Sequence, residues 1–212
     1  MEINNLWYYG SKSDWENALA AYYKTPSVIR NIELEKSMDS INANKIRNMP
    51  VKEFYQFLHD EYFVWKYTAK NRLTTTRKQL EKYEDEGMPQ LEKTHRGIFR
   101  AFDEDPNDTE ELLYKATRIY GLGTAGASGL LAILFPEYYG TIDQFLVYSL
   151  RKIDHLPEHS VLNNMNPEGL TIKDGIVLES ILRRKSKELN DMIGSAEWNP
   201  KKIDMVLWAY RE

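Results

Sequence analysis

The strongest constraint on this chain is periodicity. Nearly every segment of its 212 residues repeats its apolar positions with helical spacing, and none sustains the apolar–polar alternation of a strand. Such a chain must bury its stripes helix against helix, so an all-α fold is predicted. Ser13 and Glu16 stand at capping-box spacing ahead of an early helix, and Asn199-Pro200 offers a cap and an N1 proline to the last one. Between them helices are expected near 28–46, 51–85, 89–101, 109–119, 124–135, 144–153 and 170–190. Gly87-Met88-Pro89, "DEDPND", Pro136 and "HLPEH" mark the breaks. With 42% apolar residues the chain can bury one sizeable core, or two small lobes sharing a cleft.

Composition removes several classes of function. There is no cysteine, hence no disulfide, thiolate zinc site or iron–sulfur cluster. Apolar runs such as "GLLAILF" are far too short to span a bilayer, and the N-terminus shows no basic stretch followed by an apolar one. A cytoplasmic protein without membrane contact is expected. The net charge of -4 hides an uneven distribution. Residues 62–80 carry five basic side chains (Lys66, Lys70, Arg72, Arg77, Lys78) and no acid, whereas 103–111 carry six acids and no base.

"GLGTAG", 121–126, spells the glycine pattern of a dinucleotide-binding turn. That fold needs a buried strand ending at the first glycine, but Leu112, Leu113, Ala116, Ile119 and Tyr120 form a helical stripe before it. Another helix comes after it, with small residues at 125–129 that permit close approach of a neighbour. Helix, glycine turn, helix is a helical hairpin. The backbone N–H groups of Gly121, Gly123, Thr124 and Ala125 would be free for an anion such as a DNA phosphate, although a plain core reversal would use the same glycines.

"IYGLGTAGASGLLAILFPEYYGTID" resembles the helix-hairpin-helix signature of the base-excision DNA glycosylase superfamily, to which endonuclease III and adenine DNA glycosylase belong. Ile119, Tyr120, Gly121, Leu122 and Gly123 match the hairpin. In that family an essential aspartate lies about 20 residues past the second glycine, which is where Asp143 stands. The resemblance implies a two-lobed helical fold: a central lobe, 51–153, holding the hairpin of 109–135 and the Asp143 loop, and a terminal lobe, 1–50 plus 154–212, with a DNA cleft between. The segment 64–83 is similar to the helix that opens the family's central lobe. Strand-cleaving members carry a lysine two residues after the second glycine, where this chain has Ala125; the terminal cysteine cluster of some members is also absent. The implied activity is that of a cluster-free, monofunctional glycosylase with no cofactor or metal, acting as a monomer on double-stranded DNA that contains a damaged or modified base. Repair and defence against foreign DNA both fit.

The residues suit that chemistry. Local sequence makes Asp143 an N-cap, and its carboxylate could in addition stabilise the positive sugar of a breaking glycosidic bond. On a continuous helical wheel Lys66, Lys70, Arg77 and Lys78 share a face, either a solvated surface or one wall of a DNA cleft. Tyr67 and Asn71 lie on the same side as candidates to fill the gap left by an extruded base, and Gln144 beside Asp143 is a candidate for the base pocket. The alternatives are a non-catalytic DNA-binding module and a lyase whose amine is Lys66 or Lys70. "HLPEH" matches a zinc-peptidase pattern, but Pro157 would break the helical turn those ligands need, so a loop is expected. Trp198 and Trp208 are expected in the core.

Overall fold

The computed structural model describes residues 1–85 and 87–211, among which every regular element is helical. The first half comprises α1 (Ile3–Tyr9), α2 (Lys12–Tyr22), α3 (Pro26–Arg30), α4 (Ile32–Asp39), α5 (Ala43–Arg47) and α6 (Val51–Gln56). A π-helical turn (Phe57–Tyr62) then leads into α7 (Phe63–Lys66), followed by α8 (Lys70–Leu80) with a 3-10 turn (Glu81–Tyr83). The second half comprises α9 (Met88–Glu104), α10 (Thr109–Thr117), α11 (Thr124–Leu134), α12 (Gln144–Arg151), α13 (His159–Asn164), α14 (Ile172–Ile193) and α15 (Pro200–Ala209).

The two ends of the chain pack together, α2 against α15, and α15 in turn rests on α12 and α14. α10 packs against α9, α11 and α14. One continuous buried cluster runs from Ile3 to Leu207 and takes in residues of both segments expected to form lobes. No described helix is long and apolar enough to cross a membrane.

Local signals explain most boundaries. Asn199 accepts the Lys202 N–H at 3.0 Å with Pro200 at N1, as its sequence predicts. At α2 the reciprocal cap is Ser11 with Asp14, two residues earlier than the predicted Ser13–Glu16 pair. Both pairs have the required spacing, and the earlier one lengthens the helix. Several of the acids of the run 103–111, though mostly exposed, have partners within the protein. Asp103 pairs with Arg47 at 2.8 Å, Asp108 caps α10, and Glu111 pairs with Lys115 at 2.9 Å.

The expected helix 51–85 is not continuous. The π turn rotates α7 by about 100° relative to an unbroken α-helix, because it inserts one residue. At Tyr67 the backbone (φ -115, ψ 87) leaves helical geometry altogether, and α8 begins afresh at Lys70. The expected helix 28–46 is likewise three short pieces, α3 to α5. "HLPEH" forms turns with His155 at φ 60, and α13 starts only at His159, so the two histidines share no helical turn.

Candidate active site

α10 and α11 pack against each other and are joined through 118–123. Gly121 makes the reversal with φ +91, a conformation that other residues rarely adopt. A Cβ there would also lie 2.8 Å from the Thr76 carbonyl oxygen, so the turn sits directly on α8. The Tyr83 hydroxyl ties the two further: it donates to the Arg118 carbonyl and accepts the Tyr120 N–H, while the Tyr83 and Tyr120 rings stack with centroids 4.3 Å apart. The basic helix and the glycine turn therefore pack into one surface. Gly123 is the exposed N-cap of α11, has no atom within 4 Å of an added Cβ, and provides no side-chain cap. Thr124 is buried and Ala125 half-buried in the first turn.

The small residues of α11 admit close neighbours, as predicted. The Tyr62 hydroxyl donates to the Gly126 carbonyl, and a Cβ on Gly126 would overlap the Tyr67 hydroxyl. Gly129 leaves room for the Lys66 stem, whose Cδ would be 3.2 Å from a Cβ there.

That channel delivers Lys66 to Asp143. Asp143 is the N-cap of α12, and its Oδ1 accepts the N–H groups of Phe145 (2.9 Å) and Leu146 (3.2 Å). Its Oδ2 remains free of the cap and lies 3.8 Å from Lys66 Nζ; the Lys66 side chain is 10% exposed and that of Asp143 21%. Burial lowers the Lys66 pKa, against the opposing pull of Asp143 and Asp204. Just ahead of Asp143, two buried carboxyl groups hold the loop: Glu179 accepts the Gly140 N–H at 3.0 Å and Asp204 the Thr141 N–H at 3.2 Å. Burial pushes Glu179 up to about 8, and burial together with the Asp143 charge raises Asp204 well above the usual carboxylate range.

Lys66, Asp143 and Asp204, but not Glu179, line a cavity of about 170 Å³. Its walls come from both ends of the chain (Tyr22, Asn31, Glu35, Lys201, Asp204, Trp208) and from its middle (Trp65, Lys66, Thr68, Thr141, Asp143, Phe145). Room for on the order of ten water molecules suits one planar ring system. Glu35 is pinned on both oxygens, by the Tyr22 hydroxyl and the Trp65 indole N–H, each at 2.7 Å. Lys201 pairs with Asp39 at 2.7 Å. A roomier groove of about 720 Å³ between α9 and α10 pairs its own charges, Arg96 with Glu92 and Lys115 with Glu111, and has no comparable buried carboxyl group.

The sequence-derived site is thus partly regrouped. Lys66 leaves the basic face for the cavity because the helix breaks immediately after it. Arg77 is committed to the protein: its Nε donates to the His59 carbonyl at 2.9 Å and it lies 3.7 Å from Asp60. Lys70 and Lys78 stand exposed on α8, joined by Arg72 and Asn71. Tyr67 is half-buried with its hydroxyl against α11, which is the wrong direction for a protruding wedge; exposed Thr68, at the cavity wall, occupies the loop beside it. Gln144 starts α12 but does not line the cavity. Trp198 is buried as expected, whereas Trp208 is half-exposed at the cavity with Arg211 stacked on it at 3.4 Å. Sequence reasoning missed Asp204 and Glu179, each a lone acid within an apolar stripe.

No protein-family model, curated protein or solved structure matches this chain.

Proposed function

We propose that this protein is a DNA glycosylase that hydrolyses the N-glycosidic bond of a single damaged or modified base turned out of the duplex into the 170 Å³ cavity. The observation that carries this reading is the division of labour at Asp143: Oδ1 is fixed by two backbone donors, and Oδ2 is held at the cavity wall. A carboxylate oriented in this way stabilises the positive charge that develops on the sugar and takes a proton from the water attacking C1′. The open start of α11 at Gly121, Gly123, Thr124 and Ala125, with Lys70, Arg72 and Lys78 alongside, supports binding of the phosphate backbone. The product is an abasic site in an intact strand. Excision from an organism's own DNA and from an invader's are equally served by this chemistry.

The decisive experiment incubates the protein with duplexes bearing a panel of modified bases, then applies alkali to reveal abasic sites. Asp143→Asn, whose amide oxygen still caps α12, is expected to fold and bind DNA and to lose at least about 100-fold in base release. Near-normal turnover would reduce Asp143 to a cap.

The place of Lys66 favours a second reading, a glycosylase/lyase. Ala125 cannot form a Schiff base, but the amine of Lys66 is 3.8 Å from Asp143 in the cavity, and burial favours its uncharged, nucleophilic form. Borohydride added during turnover separates the two: hydrolysis leaves no protein–DNA adduct, whereas an adduct mapping to Lys66 would establish the lyase.

A further inference from the structure

We propose that Asp204 is the acid that protonates the departing base, and hence that the substrates are neutral bases and not cationic alkylated ones; the inference rests on the glycosylase reading of the same cavity. Three carboxyl groups line this cavity; Glu35 has both oxygens taken by Tyr22 and Trp65, which leaves Asp143, from the loop before α12, and Asp204, from α15. They differ in burial and in partners. Asp204 is 7% exposed, and its one hydrogen bond among the described residues is from Thr141 N–H to Oδ2, which leaves Oδ1 for a guest. The ionisable groups around it are Asp143, Lys66, Lys201, Glu179 and Tyr22. Three of these are engaged elsewhere: Lys201 with Asp39, Tyr22 with Glu35, and Glu179 with Gly140 N–H. Lys66 is shared with Asp143. Asp204 is left without a dedicated counter-charge, next to a carboxylate, in a site that disfavours a second negative charge. A buried carboxyl group kept protonated beside a second carboxyl group fits the role of acid, and its neighbour that of base.

The step balances. As the C1′–N bond breaks, its electron pair leaves with the base, which receives the Asp204 proton. The water oxygen bonds to C1′ and its proton passes to Asp143. Asp204 is then reprotonated from solvent as Asp143 releases its proton, so the net change is one water consumed. A cationic base departs neutral without help, and an acid at this place would not accelerate its loss.

The test is single-turnover base release as a function of pH on two duplexes: one carrying the neutral base that the wild type releases fastest from the panel, the other carrying 7-methylguanine. Wild-type release of the neutral base should fall on the alkaline side as Asp204 ionises, and 7-methylguanine should be the poorer substrate. In Asp204→Asn, whose amide oxygen still accepts the Thr141 N–H, release of the neutral base should drop by at least about 100-fold near neutrality, with the alkaline decline abolished. A variant with wild-type rates, or one uniformly slowed with the same pH profile, would overturn the assignment, as would a wild-type preference for 7-methylguanine. The wild-type profile and preference are read without any variant, so a misfolded substitution does not shield the inference. If the wild type frees no base from any duplex, the glycosylase reading itself falls, and this one with it.

Discussion

Two helices begin 20 residues apart, α11 after Gly123 and α12 after Asp143, and the chain treats their starts in opposite ways. The first carries no side-chain cap, only a glycine with open space around it. The second is closed by its own carboxylate, which accepts two backbone N–H groups. Every helix start presents unpaired donors and a partial positive charge. Left bare, the donors at α11 suit an anion from outside. Filled from within, those at α12 fix the direction of a charged side chain. On the proposed function, one backbone feature thus serves as both a docking point and a catalytic alignment, and the residue at the cap decides which.

Exchanging the caps puts this contrast at risk. The largest effect is expected at α12: Asp143→Ser keeps a capping oxygen but removes the charge, so the thermal midpoint should change little while base release falls as far as in Asp143→Asn. Retained turnover would show that alignment of that charge is not what α12 supplies. Next is Gly123→Asp, which gives α11 a carboxylate of its own. The backbone there (φ -86, ψ -175) accepts any residue and the space is open, so stability should hold or rise. DNA affinity, read by fluorescence anisotropy, should fall on the order of tenfold because the new charge meets the phosphate site. Unchanged affinity would place the DNA elsewhere.

Smaller effects bear on the α11 side alone. Gly121→Ala combines a positive φ with a Cβ 2.8 Å from the Thr76 carbonyl, and should cost about 1–3 kcal/mol in urea denaturation. A neutral result would mean that the turn can reform without its glycine. The smallest change is in salt dependence: removing Lys70 and Lys78 together should flatten the slope of log affinity against log salt by about 2, whereas Arg77→Ala, already bonded to His59 and near Asp60, should leave it unaltered and lower stability instead. Equal slopes for both variants would return Arg77 to the DNA-facing set.

What could be read in the sequence was whatever depends on neighbours along the chain. The period of the apolar residues gave helices at α9 to α12, α14 and α15, and the hairpin spacing singled out the Asp143 loop. The break after Lys66 was not legible because 67–69 contain neither glycine nor proline, and the π turn before it leaves no compositional mark. A helical wheel drawn through this discontinuity places an interior lysine on the surface and leaves Arg77 available when it is not. Asp204 and Glu179 were visible as acids inside "KKIDMVLWAY" and "GIVLESILRR". Their purpose is apparent only in the fold, which brings Asp204 to Thr141, 63 residues away, and Glu179 to Gly140, 39 residues away.

Because α15 supplies part of the cavity, the site is completed last during biosynthesis. The glycine turn, the basic helix and Asp143 have all left the ribosome before Pro200 is added, and chains fold progressively from the N-terminus as they are made. Until the last helix arrives, the loop before Asp143 lacks its Asp204 anchor, the cavity lacks the wall formed by Lys201 and Trp208, and α2 lacks its partner. A nascent chain can therefore display the glycine turn and its basic neighbour before it can enclose a guest. On the glycosylase reading, the chemistry is acquired only when α15 has docked.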